Sequence, residues 1–429
     1  MVLPLRRQRD YRLLWSARAI SESGTEVARL AVPLTAATAL GASPIQMGLL
    51  TGATTLPYLL IGLPAGAMAD RVSRRRPVMI AGEAIAGLAA LSVPVAWLTG
   101  VLSVTWLIVV AFVIGSCAVA FRSFNIPHLA TVVDESQRTQ ALAGFQSVFA
   151  VAQIGGPGLA GLLVSLVTAP IAILADAASF LVSALCLRAV RAPEHGTRSG
   201  GNGLAREIAE GMRVLAGNPV LRTICITGVI INALGSAYLA LYVVFAVRVL
   251  GLPGPLVGVA AAASGVGGLL GAAIVPRLTR RYGENKIMLV SVLFFPLELV
   301  GTAAATGPVW LIAGQISVAA VITGVAVVCY SVCSGAVTMR EAPPELLGRV
   351  NATSIFAIQG VMAPGGVLAG VAGETLGLRP ALWVFAAGSL LVILWLWSSP
   401  IRRDARPAGE EGSPSTAPRP GSTPEAAHT

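Results

Sequence analysis

The sequence predicts an all-α integral membrane protein with twelve transmembrane helices in two parallel six-helix halves. Three observations carry this expectation. The chain is too apolar for water, it holds twelve apolar runs of membrane-spanning length, and two of its segments recur at an offset near half its length.

Of 429 residues, 55% are hydrophobic and only 12% charged, and the mean hydropathy is +0.78. A soluble domain carries roughly 25% charged residues, so the natural solvent for this surface is lipid. The net charge of +10 does not indicate nucleic acid. The arginines cluster in short segments between apolar runs, without aromatic interleaving, which is the pattern of topology signals rather than of a phosphate-binding face. Cys117, Cys186, Cys225, Cys329 and Cys333 all lie inside apolar runs. They show neither metal spacing nor a disulfide framework and read as small buried hydrophobes. No metal and no cofactor is expected.

A membrane helix needs about 20 apolar residues to cross a hydrocarbon layer of about 30 Å. Such runs lie near 17–40, 45–68, 78–98, 104–126, 140–167 and 170–189, then near 221–247, 254–276, 287–306, 309–336, 350–374 and 380–399. The first is too long and too interrupted by charge for a secretory signal. Arg6, Arg7, Arg9 and Arg12, then Arg71, Arg74, Arg75 and Arg76, then Arg191, Arg206 and Arg213, then Arg277, Arg280, Arg281 and Lys286 fall on alternate connections. The opposite turns hold only Arg248 and Arg379. That bias predicts both termini in the cytoplasm and an even number of spans. It makes the chain a multi-pass protein of the inner, or plasma, membrane.

The repeat supports the pairing of halves. Ser147-Val-Phe-Ala-Val151 resembles Ser354-Ile-Phe-Ala-Ile358, and Pro157-Gly158 matches Pro364-Gly365, both at an offset of 207 (354 less 147, 364 less 157). Arg71-Val-Ser-Arg74-Arg75 matches Arg277-Leu-Thr-Arg280-Arg281 at an offset of 206 (277 less 71). Residues 1–190 then form the first half, 191–222 a cytoplasmic linker, 223–400 the second half and 401–429 a disordered tail. Within the linker, Ile208, Met212 and Leu215 fall on one stripe of the stretch Ala205–Leu215, which fits an amphipathic helix lying on the inner membrane surface. Parallel repeats place a binding cavity between the halves, near the membrane midplane.

Charges inside a span are costly and default to functional candidates. Glu22, Glu26 and Arg29 of the first span fall within roughly 60° of one another around the helix, and Arg29 lies about 18 Å into the span. Such a polar stripe should face the cavity. Glu26 and Arg29 can pair at i,i+3, either as a glutamate that takes up and releases a proton or as a static ion pair that fixes packing. Asp176 in the sixth span and Glu298 in the ninth are lone acids at depth. A structural hydrogen bond is an equal reading for Asp176, and Pro296 predicts a kink that frees backbone carbonyls near Glu298. Arg122 either partners an acid or snorkels to the interface. Asn232, Tyr238, Tyr242, Gln315 and Gln359 are candidates for the substrate cavity. Tyr238 and Tyr242 share a face at i,i+4, where they can stack on a planar substrate, and interfacial anchoring of Tyr242 is an equal alternative.

The segment Gly66-Ala-Met-Ala-Asp70-Arg71-Val-Ser-Arg74-Arg75-Arg76 resembles the loop signature Gly-x-x-x-Asp-Arg-x-x-Arg-Arg of the major facilitator superfamily. The resemblance implies a gating loop. Gly66 would permit close helix approach, and Asp70 would pair with arginine, Arg71 or Arg74, to latch the cytoplasmic side. The alternative is that these arginines only set topology. In the echo of this loop Pro276 replaces Asp70. Gly155-Gly156-Pro157-Gly158-Leu-Ala-Gly161 in the fifth span resembles the antiporter signature of the superfamily, in which proline and glycines permit a bend and a close contact. Ordinary packing glycine is the alternative.

Further stretches resemble the branch of siderophore exporters and macrolide efflux proteins. They are Tyr11-Arg-Leu-Leu-Trp15, Asp176-Ala-Ala-Ser179-Phe180, Glu210-Gly-Met-Arg-Val-Leu215 with Asn218-Pro-Val-Leu-Arg222, and Pro344-Glu-Leu-Leu-Gly348-Arg349-Val350. The sequence departs from that branch after Gly24, where Thr25 precedes the acid Glu26. The resemblance implies proton-coupled efflux, by alternating access, of a small amphipathic organic molecule such as an antibiotic, siderophore or other secondary metabolite. The expected partners are that substrate, protons and the bilayer, with no nucleic acid, and the chain is expected to be a monomer. A metabolite importer on the same fold is the alternative. A membrane enzyme or receptor is a weaker one, because His128, His195 and His428 are scattered through a loop, a linker and the tail. No nucleotide-binding loop appears.

Overall fold

A computed structural model describes residues 4–72, 74–192, 204–343 and 346–402. Among these residues all regular structure is helical. The first group is α1 (Arg9–Leu34), α2 (Pro44–Arg71), α3 (Arg75–Leu98), α4 (Val104–Val132), α5 (Arg138–Leu166) and α6 (Ala169–Ala189). Then comes α7 (Leu204–Gly217). The second group is α8 (Pro219–Arg248), α9 (Gly254–Tyr282), α10 (Glu284–Val292), α11 (Pro296–Ala303), α12 (Val309–Glu341), α13 (Leu347–Gly360), α14 (Met362–Thr375) and α15 (Leu378–Trp397).

Counting α10–α11 and α13–α14 as one span each gives twelve. On the described residues alone, 10 are long and apolar enough to cross a bilayer. The other two are α1, which carries Arg18, Glu22, Glu26 and Arg29, and α5, several of whose side chains lie outside the described residues.

The ends of these helices follow local chemistry. Ser43 closes a capping box with Gln46 ahead of Pro44, and Ser103 accepts the Trp106 amide. Asn218 caps α8 through the amides of Val220 and Leu221, with Pro219 in the first turn. Gly283, at φ +78°, takes the chain from α9 straight into α10.

The two groups of six repeat one packing pattern. In the first, α1 packs on α5 and α6, α6 on α3, and α4 on α2 and α3. In the second, α8 packs on α14 and α15, α15 on α11, and α12 on α9 and α11. The groups meet through α2 against α14 and α5 against α9. Both seams are built of glycine. A Cβ on Gly370 of α14 would lie 3.0 Å from Gly48 Cα of α2, and one on Gly161 of α5 would lie 3.1 Å from Gly258 Cα of α9.

These seams sit toward the face of the short turns at 41–43 and 251–253. One apolar core there runs through both groups, including Leu34, Met47, Leu107, Leu241, Phe245 and Val257. At the arginine-rich face the cores are separate. One surrounds Leu14, Met79, Phe124 and Leu187, and the other Met288, Val292, Cys333 and Leu396. The protein is therefore closed between its groups at the short-turn face.

Several expectations change. The first helix begins at Arg9, not near 17, because Arg9, Asp10 and Arg12 continue the helix beyond the apolar run. The kink at Pro296 is present as the break between α10 and α11. The eleventh span also breaks, at Val361, three residues before Pro364. The helix of the linker, α7, docks on α13. Its Leu215 is buried with Leu221, Ala342 and Val350, whereas Met212 is 54% exposed. The Ile208 side chain lies outside the described residues, as do residues 403–429. His128 is not in a loop but fully buried within α4, which runs on to Val132. His195 and His428 lie outside the described residues.

Candidate functional site

The acids of the first six helices gather on α1, α3 and α6. On α1, charged and hydroxyl side chains occupy adjoining faces. Glu26 is 2% exposed, and its Oε1 lies 3.2 Å from Arg29 Nη1, while the Arg29 side chain is 49% exposed. One turn toward the arginine-rich face, Arg18 Nη2 lies 2.9 Å from Glu22 Oε1. The Arg18 guanidinium also sits 5.5 Å from the Phe145 ring of α5. Glu22, Glu26 and Arg29 are thus parts of two separate ion pairs, with Arg18 as the fourth member.

The adjoining face of α1 carries Ser21 and Thr25 and meets buried acids. Glu83 of α3 is 4% exposed, with the Ser21 hydroxyl 3.5 Å from its Oε1. Asp176 of α6 is 1% exposed and faces Thr25 and Ser179. Gly24 permits this contact, since a Cβ there would collide with the Ser179 side chain. Glu83 was missed in the sequence. It interrupts the apolar run 78–98 alone, between Gly82 and Ala84, and its depth was the available signal.

The second six helices hold a smaller polar group. Glu298 lies in the first turn of α11, where the helix dipole favours an anion. It sits beside Tyr238 and Tyr242 of α8. Those two rings stack with centroids 5.2 Å apart. The Tyr238 and Thr302 hydroxyls are 3.0 Å apart, and Gln315 Nε2 donates to the Gly301 carbonyl at 3.1 Å. Asn232 donates to the Gly228 carbonyl of its own helix at 2.9 Å, and Gln359 is half-buried.

This repeated six-helix plan, closed at one face around buried charge, coincides with a family match. The model of the Major Facilitator Superfamily matches residues 14–364.

The chain belongs to the major facilitator superfamily.

It is 27% identical over 414 residues to the uncharacterized MFS-type transporter YfiS of Bacillus subtilis, covering 91% of this chain and 93% of that one. It is 26% identical over 365 residues to the multidrug efflux pump Tap of Mycolicibacterium fortuitum, covering 82% and 86%. The crystal structure of the nucleoside transporter NupG superposes with a TM-score of 0.73 at 11% identity, over 90% of this chain and 98% of that one. This facilitator is accordingly a membrane transporter and not an enzyme.

Other candidates of the facilitator are placed differently from expectation. A Cβ on Gly66 would meet nothing within 4 Å, so among the described residues no helix approaches Gly66 closely. Among the described residues, the buried cores of the two groups are separate at that face. The Asp70 and Arg71 side chains lie outside the described residues, and Arg74 is exposed. The loop is instead tied by Arg75, which donates through Nε to the Ala69 carbonyl at 3.1 Å and through Nη1 to the Pro127 carbonyl at 3.5 Å. Arg76 donates to the Val190 carbonyl.

The antiporter-type glycines divide. Gly156 lies against Glu26 and Gly161 against α9, while Gly155 faces open space; α5 stays one helix throughout. The Pro157 side chain lies outside the described residues. Tyr242 is buried, and its hydroxyl donates to the Val257 carbonyl at 3.2 Å. It therefore neither anchors at an interface nor lines an open cavity. Arg122 is exposed near the like-charged Arg18, and among the described residues it forms no ion pair with an acid.

Proposed function

We propose that this facilitator is a proton-coupled exporter of a small amphipathic organic molecule, working by alternating access as a monomer in the inner membrane. The arginine-rich face is the cytoplasmic one, with both termini there, in keeping with the bias of arginine toward cytoplasmic loops. The conformation closed at the short-turn face is then inward-open, ready to load from the cytoplasm.

One observation carries the coupling: carboxylates are buried on α1, α3 and α6 against small, hydroxyl-bearing neighbours. A charge at the centre of a membrane helix costs about 2.5–3.5 kcal/mol on insertion scales. Acids that exchange protons as the cavity alternates give that cost a use. Glu26, paired with a half-exposed Arg29, stands where a proton or substrate event can be sensed, and Asp70 with Arg71 remains the candidate latch. Export rather than import is supported by the antiporter-type glycines of α5 and by the likeness to Tap. Antibiotics, siderophores and other secondary metabolites are the substrate class, and multidrug resistance is the expected phenotype. The half-buried Tyr238, Asn232, Gln315 and Gln359 are its candidate contacts.

The test is a deletion strain scored for intracellular retention across a small-molecule panel, with the gene restored on a plasmid. Retention that rises on deletion and falls on restoration supports export. Uptake that falls on deletion identifies an importer and overturns the proposal.

A further inference from the structure

The α1–α3–α6 interface carries more polar chemistry than the Glu26–Arg29 pair requires. Glu83, Asp176 and Ser183 are each buried. Glu83 Oε2 and Asp176 Oδ1 make no hydrogen bond, and the Ser183 hydroxyl stands beside the Glu83 carboxylate. Glu26 Oε1 also makes none, but it has the Arg29 guanidinium at 3.2 Å. A buried carboxylate oxygen without a donor is costly unless it carries a proton or meets a cation. The groups facing Glu83 are Ser21, Glu22 and Arg18 from α1, Cys117 from α4, and Ser183 and Asp176 from α6. Its one cationic neighbour, Arg18, is already bound to Glu22 at 2.9 Å. Those facing Asp176 are Thr25 from α1, Glu83 from α3 and Ser179 of its own helix. No cation faces Asp176 among these groups.

The spacing on α6 is a ladder. Asp176, Ser179 and Ser183 stand at i, i+3 and i+7 and so share one face, about 10 Å from first to last at a rise of about 1.5 Å per residue. On α1, Ser21 and Thr25 stand at i, i+4 opposite them. Glu83 meets the ladder at Ser21 and Ser183, toward the arginine-rich end, and Asp176 meets it at Thr25 and Ser179, deeper in the bundle. Glu26 lies on a different face of α1, against Gly156 of α5.

We propose that Glu83 and Asp176 are the proton-carrying pair, each binding one proton on its unpartnered carboxylate oxygen, linked by the Ser183, Ser179, Ser21 and Thr25 hydroxyls. The route runs inside the first six-helix half, apart from the cavity between halves. Protons and substrate then use different faces of α1, whose tilt between the two conformations couples them. Glu26 and Arg29 serve the cavity side. This rests on the proton-coupled reading above.

The test needs no substrate. Infrared spectra of the full-length protein in lipid nanodiscs are recorded at neutral pH, reading the C=O stretch of protonated buried carboxyls. The pair should contribute two such bands, separate from the one that Glu298, beside Tyr238 and Tyr242, contributes and that Glu298→Gln identifies. Glu83→Gln should remove one, Asp176→Asn the other, and Glu26→Gln neither. Ser183→Ala, which leaves both acids in place, should shift the Glu83 band without removing it. The proposal is overturned if both bands survive Glu83→Gln and Asp176→Asn. It is also overturned if replacing choline chloride by sodium chloride abolishes the bands, since the pair then holds a metal cation. Both outcomes are independent of whether transport in vesicles follows a pH gradient. The proton-coupled reading can therefore fail while the pair stands, or stand while the pair fails.

Discussion

Gly156 of α5 lies so close to Glu26 of α1 that a methyl group on the glycine would overlap the glutamate Cβ. An antiporter-type glycine is therefore the seat of a buried acid, which joins two features that lie 130 residues apart in the sequence (156 less 26). In the second half the matching crossing of α8 and α14 sets Gly365 against the Ala233 backbone. No acid is seated there, so this charge belongs to one half only.

That contact predicts opposite outcomes for neighbouring glycines. Gly156→Ala should lower thermal stability by about 1–3 kcal/mol, because the overlap is with atoms close to the α1 backbone that cannot swing away. Gly155→Ala, which faces open space, should be neutral or gain about 0.5–1 kcal/mol from helix propensity. Thermal unfolding of the purified variants reads both.

The glycine seam predicts a conformational shift. Gly48 and Gly370 bring the backbones of α2 and α14 together at the short-turn face, and any larger side chain acts as a wedge. Gly370→Leu should favour the state open at that face. Spin labels on Ala42 and Gly377 should report longer distances in the variant than in the parent. Unchanged distances refute the seam as the closing element.

Thr168, between α5 and α6, is the non-glycine residue with positive φ among the described residues, at 134°. Strain of this kind costs about 1–3 kcal/mol. Thr168→Gly should therefore raise the melting temperature, the relief exceeding the entropy glycine adds to the unfolded chain.

The docking of α7 on α13 rests on the Glu210–Arg349 ion pair beside Gly211, whose added Cβ would press on Thr353 and the Arg349 carbonyl. With both side chains partly buried, a double-mutant cycle of Glu210→Gln and Arg349→Gln should give a coupling of about 1 kcal/mol. Gly211→Val should release α7, seen as faster proteolysis of the connection between the halves.

Much of the fold was legible because a bilayer imposes length, hydropathy and charge bias on each span independently. The twelve spans, the arginine alternation and the break at Pro296 are all local properties. What escaped depended on neighbours in space. Arg9 and Asp10 read as loop because their charge ended the apolar run, yet nothing there stops a helix. The break at Val361 and the burial of Tyr242 are set by packing. Gly48-x-x-x-Gly52 and Gly366-x-x-x-Gly370 were visible as small-residue pairs, but their partners were not. In the candidate site, Glu26 and Asp176 were found by depth. Glu83 carried the same signal and was passed over, and its importance emerges only from Ser21 and Ser183 on two other helices.

The central claim is outward transport driven by protons. Its most direct measurement uses inverted membrane vesicles containing the protein, loaded with an acid interior and given a compound that the deletion strain retains. The account predicts accumulation of the compound inside the vesicles, lost when a protonophore collapses the gradient. Accumulation that persists without the gradient, or movement of the compound only out of such vesicles, would contradict it.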